Sequence, residues 1–489
     1  MSLIQITNLT FGYDGSYDNI FEDVSFQIDT AWRLGFTGRN GRGKTTFLNL
    51  LLGKYEYRGT IVCDTPFQYF PYDVPDKSMD TLAVLAAAAP DAPEWEILRE
   101  LSKLDIDEGA LSRPFETLSN GEQTKALLAA LFLNENRFLL IDEPTNHLDA
   151  AARQTVSGYL RGKSGFILVS HDRAFMDACV DHILAINRTN IEVQRGNFST
   201  WQANKQMRDD YELAENAKLK KDMKRLDEAA KRTAKWSADT EKSKIGSHAG
   251  DRGFIGHKSA KMMKRAKSIE SRRNEASEEK GHLLRNIEQA DSLKLSPQTY
   301  RGDRLVELAG VSIAYGAHVA CKGVSLTIKQ GARIALQGRN GSGKSSILKL
   351  VAGQSLDYTG SVWRGGGLTV SYVPQDTSFL SGRLSDYARA RGIDESLLKA
   401  ILRKLDFARA QFDKDMRDFS EGQKKKTLIA GSLCERAHLY IWDEPLNFID
   451  VLSRMQIEAL ILEYAPTLLF VEHDAAFTKT IATETIILP

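Results

Sequence analysis

The sequence holds only four cysteines in 489 residues, Cys63, Cys179, Cys321 and Cys434, and no two of them form a C-x-x-C pair. That spacing argues against a zinc ribbon or a disulfide framework and fits small buried thiols in a reducing compartment. Long apolar runs are also missing. No window approaches the roughly 18 to 20 apolar residues of a membrane-spanning helix, and the longest, such as Ala126 to Leu133, suit helix or strand cores. Met1 to Asn8 lacks a basic segment followed by an apolar stretch, so no secretory signal is read and a cytoplasmic location is expected. Nor is there an excess of charge of one sign. The 65 basic and 64 acidic residues nearly cancel, so an electrostatic partner has to be recognised from a local feature.

What is present is a repeat. The length suits two or three domains of roughly 150 residues. Tyr13 and Tyr315, Lys44 and Lys344, Ser119 and Ser420, Asp142 and Asp443, and His171 and His473 are separated by 302, 300, 301, 301 and 302 positions. Each copy opens on an alternating apolar stretch (Leu3 to Ile6; Leu305 to Leu308) and then runs from a strand through a Gly-rich turn into a helix. Later apolar runs, Phe138 to Ile141, Phe166 to Val169, Leu439 to Trp442 and Leu468 to Val471, suit strands buried on both faces of a mostly parallel sheet. The expected fold class is α/β, with copies at 1–201 and 301–489 and a different segment, 202–300, between them.

That segment is rich in charged helix formers. Residues 218–273 carry 18 Lys or Arg against 7 Asp or Glu, a surplus of 11, so the rest of the chain sums to −10. Leu219, Met223, Leu226, Ala230 and Thr233 step by four and three, as do Met262, Ala266, Ile269, Arg273 and Ala276, the spacing of a narrow helical seam. Four glycines between Lys244 and Lys258 forbid one continuous helix, so an antiparallel helical hairpin is predicted. With about 40 residues in its first helix, its tip would reach roughly 60 Å from the flanking copies.

The chemistry lies in the repeat. Gly38-Arg39-Asn40-Gly41-Arg42-Gly43-Lys44-Thr45 and Gly338-Arg339-Asn340-Gly341-Ser342-Gly343-Lys344-Ser345 match G-x-x-x-x-G-K-[ST]. In that pattern glycines turn backbone N–H groups toward phosphates, the lysine charges the β and γ phosphates, and Thr45 or Ser345 holds Mg²⁺. Thr46 and Ser346 extend each loop into its helix. Asp142 and Asp443 each end an apolar strand, where a carboxylate can reach Mg²⁺, and Glu143 and Glu444 follow as acids that can polarise an attacking water. His171 and His473 come after the next strand, placed to contact the γ phosphate. Ser119 and Ser420 cap predicted helices, with Gly121 and Glu122, or Gly422 and Gln423, in the first turn. A helix N-terminus is an anion site, yet each copy already has a phosphate loop.

On these motifs the sequence resembles the ATP-binding cassette superfamily over both copies, about four-fifths of the chain. The resemblance implies ATP and Mg²⁺ as ligands, hydrolysis to ADP and phosphate, and two tandem nucleotide-binding domains that pair within a monomer. ATP held by Lys44 would then be closed by Ser420 and Gly422, and ATP held by Lys344 by Ser119 and Gly121. Tyr13 and Tyr315 match the family's adenine-stacking aromatic, although a tyrosine there can equally be core packing. The second copy has Gln375 at the family's glutamine loop. The first has Tyr72, which lacks an amide to offer Mg²⁺ or water.

Four cellular roles fit such a pair. A transporter ATPase needs a membrane partner and rarely a basic hairpin. A DNA-repair or chromosome ATPase more naturally carries a longer coiled coil inside one cassette, so no DNA partner is expected. The arrangement resembles most closely the ABC-F translation factors, for which the linker implies contact with large-subunit rRNA and the P-site tRNA of the bacterial ribosome, a use for the basic surplus. Within that group, housekeeping members carry an arm between phosphate loop and signature. Here Lys44 to Ser119 spans 75 positions and Lys344 to Ser420 spans 76, so the first copy has no arm. It is therefore similar to the Lsa-type ribosome-protection factors, which implies protection against lincosamides, pleuromutilins and streptogramin A; a housekeeping factor is the alternative. Lys244, Arg252, Phe254, Ile255, His257, Lys258, Lys261, Lys264 and Arg265 are the candidate ribosome contacts, with Phe254 and Ile255 either stacking on RNA or packing the tip against its own helices.

Overall fold

The computed structural model describes residues 2–13, 19–134, 136–187, 190–242, scattered positions between 257 and 272, 293–316 and 318–488. The chain forms two compact units, one of 1–186, 191–199 and 290–489 and one of 187–190 and 200–289. Both copies of the repeat therefore belong to one unit.

Each copy is built on two sheets. In the first, Phe67–Phe70, Phe138–Asp142, Phe166–Val169, Arg33–Gly38, His182–Ile186 and Ile191–Arg195 lie side by side in that order. All neighbours are parallel except the last pair. The second copy has the parallel order Val370–Val373, Leu439–Asp443, Leu468–Val471, Arg333–Gln337, Glu484–Ile487. The runs Phe166–Val169 and Leu468–Val471 are buried at every residue, because helices cover both faces of these central strands. A three-stranded antiparallel sheet completes each copy, from Phe21–Asp29, Leu3–Phe11 and Arg58–Val62 in the first and from His318–Lys329, Arg304–Tyr315 and Tyr358–Arg364 in the second.

The phosphate loops follow the central strands, at the carboxyl ends where open α/β sheets bind ligands. The loop glycines 38, 41 and 43, and 338, 341 and 343, all have positive φ. A Cβ on Gly43 would come within 2.4 Å of Ile20 and one on Gly343 within 2.7 Å of the Ala320 carbonyl, so a side chain would displace the loop. Helices Lys44–Leu51 and Lys344–Ala352 begin there. Between loop and signature the first copy holds Thr81–Ala88 and Glu94–Ser102, the second Leu384–Arg391 and Glu395–Lys404. No arm interrupts the first.

The second unit contains most of a 45-residue helix, Phe198–Lys242, about 68 Å long at 1.5 Å per residue. It starts four residues ahead of the composition change at Gln202, because Phe198 is a buried anchor and Ser199 N donates to Asp177 at 2.7 Å. His257, Lys261, Lys264, Arg265, Lys267, Ser268, Ile269, Ser271 and Arg272 are helical, where a return helix is predicted; the other positions of 243–292 lie outside the described residues. At the other boundary Leu293 and Leu295, which composition places in the linker, are buried in the core of the second copy. Among the described residues no helix is long and apolar enough to cross a membrane, and no group of three His, Cys, Asp or Glu could hold a metal.

Candidate functional site

Lys44 and Lys344 curl back into their own loops. Lys44 Nζ donates to the carbonyls of Gly38 (2.8 Å) and Arg39 (3.2 Å) and to Asn40 Oδ1 (3.2 Å), and Lys344 Nζ to the carbonyls of Gly338 (2.9 Å) and Arg339 (2.8 Å). Burial pushes both ammonium groups below their usual pKa, against the pull of Asp450, Glu143 and Asp142 on Lys44 and of Glu444, Asp149 and Asp443 on Lys344. Asp450 and Asp149 come from the opposite copy. Neither was singled out from the sequence, though they recur at a spacing of 301 positions.

Parallel pairing brings the acids to the loops, since Asp142 lies opposite Val169 and Asp443 opposite Val471. Asp142 Oδ2 accepts from Thr45 Oγ1 at 3.1 Å and from the Tyr69 hydroxyl at 3.0 Å, and at the second site burial raises the Asp443 pKa against the lowering influence of the Ser345 side chain. Burial raises Asp142 and pushes Asp443 up to about 6. Asp443 Oδ1 is buried with no hydrogen-bond partner. A hydroxyl and a carboxylate at each strand end, one oxygen of them orphaned, fit a hard cation such as Mg²⁺. When bound, that ion would neutralise charge on the phosphate oxygens. Tyr69 had no motif to announce it, because its role depends on the neighbouring strand.

Glu143 and Glu444 both take left-handed backbone, φ 50 and 47, a strained conformation for a side chain of this size. Each lies 3.3 Å from a histidine, Glu143 Oε1 from His171 Nε2 and Glu444 Oε1 from His473 Nε2. The distances match, but the contacts differ: Glu444 and His473 are hydrogen-bonded, whereas Glu143 Oε1 is buried with no hydrogen-bond partner. Burial and then Asp142 push the Glu143 carboxyl up to about 8, while Glu444 falls below its usual value because bonds and charge from His473, Lys425 and Gln375 outweigh burial. Gln375 Nε2 and Asn447 Nδ2 donate to Glu444 Oε2 at 2.8 and 2.7 Å. Burial, then Lys44 and Arg454, hold His171 well below the usual imidazole value.

Tyr13 and Tyr315 hydrogen-bond to the residue after Thr45 or Ser345, Tyr13 to Thr46 at 2.9 Å and Tyr315 to Ser346 at 3.1 Å. Both rings remain about half exposed, which sets them beside the loops and outside the core. Ser119 and Ser420 cap their helices. Glu122 and Gln423 fold back onto these serines in capping boxes, accepting from the serine N–H at 2.8 and 3.0 Å, so both side chains are engaged within their own copy.

The copies meet face to face. Asn40 Nδ2 donates to the Phe448 carbonyl at 2.8 Å, and a Cβ on Gly422 would sit 3.2 Å from that same Nδ2. Loop Gly38–Thr45 thus faces signature Ser420–Gly422. On the other side a cleft of about 940 Å³ is lined by Tyr315, Asn340, Gly341, Lys344, Ser345 and Ser346 together with Ser119, Gly121, Asn146 and Asp149. Gln375, Glu444 and His473 complete its wall. Each composite site pairs a charged phosphate loop and a base with the N-terminus of a facing helix, an arrangement that can hold a nucleoside triphosphate and direct water at its terminal phosphate. Of the linker candidates, His257, Lys261, Lys264 and Arg265 are exposed on helix; Lys244, Arg252, Phe254, Ile255 and Lys258 lie outside the described residues.

Comparison with known proteins gives the same motifs a context. A sequence profile described as "ABC transporter" matches residues 21–146 and 321–447. The chain is 27% identical to the ribosome protection protein VmlR of Bacillus subtilis, over 98% of this chain and 85% of VmlR. It is 29% identical to the ATP-binding protein Uup of Caulobacter vibrioides (96% and 74%) and 25% identical to the energy-dependent translational throttle protein EttA of Haemophilus influenzae (95% and 88%). Among solved structures, archaeal ABCE1 in complex with ribosomal stalk protein aP1 superposes with TM-score 0.64 at 18% identity, covering 98% of this chain and 87% of that one.

Proposed function

Because the chain belongs to the ATP-binding cassette family, as an ABC-F type ATPase that uses ATP with Mg²⁺, we propose that it is a cytoplasmic ribosome-protection factor. In this reading ATP closes residues 1–201 on 301–489, and the closed form binds the bacterial ribosome. The linker, 202–300, then enters toward the peptidyl-transferase centre, and hydrolysis releases the protein.

The observation that carries the proposal is the basic segment between the cassettes. Its surplus of 11 positive charges sits on and beyond a 45-residue helix, and such a segment binds phosphates without regard to sequence. Similarity to a protein named for ribosome protection supports the same partner. The first cassette has no arm between loop and signature, which favours a protection factor of the Lsa type, with lincosamides, pleuromutilins and streptogramin A as the drugs, over a housekeeping factor. Large-subunit rRNA and the end of the P-site tRNA are the contacts assigned to the tip, where Phe254 and Ile255 supply apolar surface to stack or to reshape the drug pocket.

At the ATP sites, Lys44 and Lys344 hold the phosphates, and Thr45 with Asp142, or Ser345 with Asp443 and Gln375, would hold Mg²⁺. Glu143 and Glu444 take the proton of the attacking water. His171 and His473 orient the terminal phosphate against those glutamates, and the capped helices at Ser119 and Ser420 present N–H groups to it from across the interface. Deleting residues 247–255 tests the division of labour: drug protection should disappear while ATP hydrolysis in the purified protein persists. Unchanged protection would remove the tip from the mechanism.

A further inference from the structure

The two cassettes repeat one plan, so a difference at matched positions stands out. Arg173, two residues after His171, donates to Glu458 of the second cassette through Nη1 at 3.2 Å and through Nη2 to the other carboxylate oxygen. The side chains are only 13% and 11% exposed. The matched positions are Ala475 and Ser157, which cannot form an ion pair. The interface is therefore braced by this pair on one side of its pseudo-symmetry only.

The brace bears on the first site's histidine loop. Asp172, between His171 and Arg173, caps the helix Arg173–Cys179 and accepts from Arg153 at 2.8 Å. His171 in turn faces Glu143 at 3.3 Å. On the far side, Glu458 belongs to helix Val451–Tyr464, whose capping residue, Asp450, lies in the field of Lys44. The second cassette keeps the internal half of this arrangement, Arg454 to Asp474 at 3.0 Å and His473 to Glu444 at 3.3 Å, and lacks the arm that crosses.

We propose that Arg173 is a positioning residue for the first ATP site alone. Its ion pair with Glu458 fixes the loop carrying His171 against the opposite cassette. Hydrolysis of the ATP held by Lys44 then requires closure of the cassettes in a way that hydrolysis at Lys344 does not. When they part, the pair breaks, leaving two charges to find water and freeing the loop, since a buried charge is costly without its partner. The inference rests on ATP hydrolysis at two sites and is independent of the ribosome reading.

Two backgrounds separate the sites: with Glu444→Gln only the first turns over, with Glu143→Gln only the second. Glu458→Gln, nearly isosteric, should lower kcat about tenfold in the first background with KM for ATP moved less than about twofold, and should move kcat less than about twofold in the second. The exchanged pair, Arg173→Glu with Glu458→Arg, should recover most of the first-site kcat. Thermal unfolding identifies any variant that has lost its fold, and Arg173→Lys, which keeps the charge, should fall between. Equal losses in both backgrounds would reduce the pair to interface adhesion. An unchanged first-site kcat, or no recovery in a folded exchanged pair, overturns the proposal as well.

Discussion

The side-chain amide of Asn40 donates to the main-chain carbonyl of Phe448 at 2.8 Å, across 408 positions of sequence. The first phosphate loop is thereby tied to the segment that follows Glu444 of the other cassette, a contact within reach of both closure and nucleotide binding. Asn40→Ala removes this hydrogen bond, worth about 1 kcal/mol, together with the one that Asn40 Oδ1 accepts from Lys44, and should raise the ATP concentration for half-maximal binding to the Glu143→Gln, Glu444→Gln chain at least about fivefold. Equilibrium binding of a fluorescent ATP analogue measures it, and an unmoved curve would mean that the contact does not contribute to closure.

Gln375 holds Glu444 by its amide N–H at 2.8 Å, whereas Tyr72 has no amide to do the same for Glu143. In a chain whose second site alone turns over, Gln375→Leu should reduce kcat about fivefold to tenfold by releasing one of the donors that orient the base. Tyr72→Leu in the first-site chain should change kcat by less than about twofold. Steady-state phosphate release in the two backgrounds compares them directly.

Tyr69 supports Asp142, the proposed Mg²⁺ carboxylate of the first site, sharing its Oδ2 with Thr45. Partners of metal ligands typically govern affinity about tenfold or more. Tyr69→Phe should therefore raise the Mg²⁺ concentration needed for ATP retention at the first site by about that factor, with the melting temperature of the nucleotide-free chain little changed. ATP retention at graded Mg²⁺, read by filter binding in a hydrolysis-deficient chain, is the measurement.

Glu100 is a buried carboxylate bonded to Tyr159 (2.6 Å), Lys163 (2.6 Å) and Lys103 (2.7 Å), where the second cassette places Ile401, Leu460 and Tyr464. Burial alone would raise its pKa, yet the lysine and tyrosine bonds hold it at about 2, below the 4.5 of a free glutamate. A depressed pKa stabilises the fold fully above about pH 4.5, and that stability is lost as pH falls toward about 2; the shift corresponds to about 3 kcal/mol. Glu100→Gln should lower the melting temperature at neutral pH and flatten the decline of stability on acidification. A melting series from neutral to acid pH checks both.

The sequence spoke most clearly where function depends on residues close together in the chain. Both phosphate loops, the strand-ending acids and the serine caps are local patterns, and the buried strands were visible as unbroken apolar runs. Contacts that depend on folding left no such trace. Asn40 to Phe448 and Arg173 to Glu458 join residues hundreds of positions apart, and Tyr69 matters only because strand Phe67–Phe70 pairs with Phe138–Asp142. Glu122 and Gln423 are read from their motif as nucleotide ligands, and the fold adds what the motif does not show, that their side chains also close the capping boxes. The antiparallel sheet was only half legible, since its strands are partly exposed and register shifts between Ile6 and Leu9, and again between Leu9 and Phe11, break the alternation.

The central claim is that the ATP-closed form binds ribosomes, and the direct measurement is co-sedimentation of the Glu143→Gln, Glu444→Gln chain with bacterial ribosomes. With ATP and Mg²⁺ the protein should pellet with the ribosomes near one copy per particle, and with ADP it should stay in the supernatant. A chain that binds ATP yet remains in the supernatant under both conditions would contradict the account.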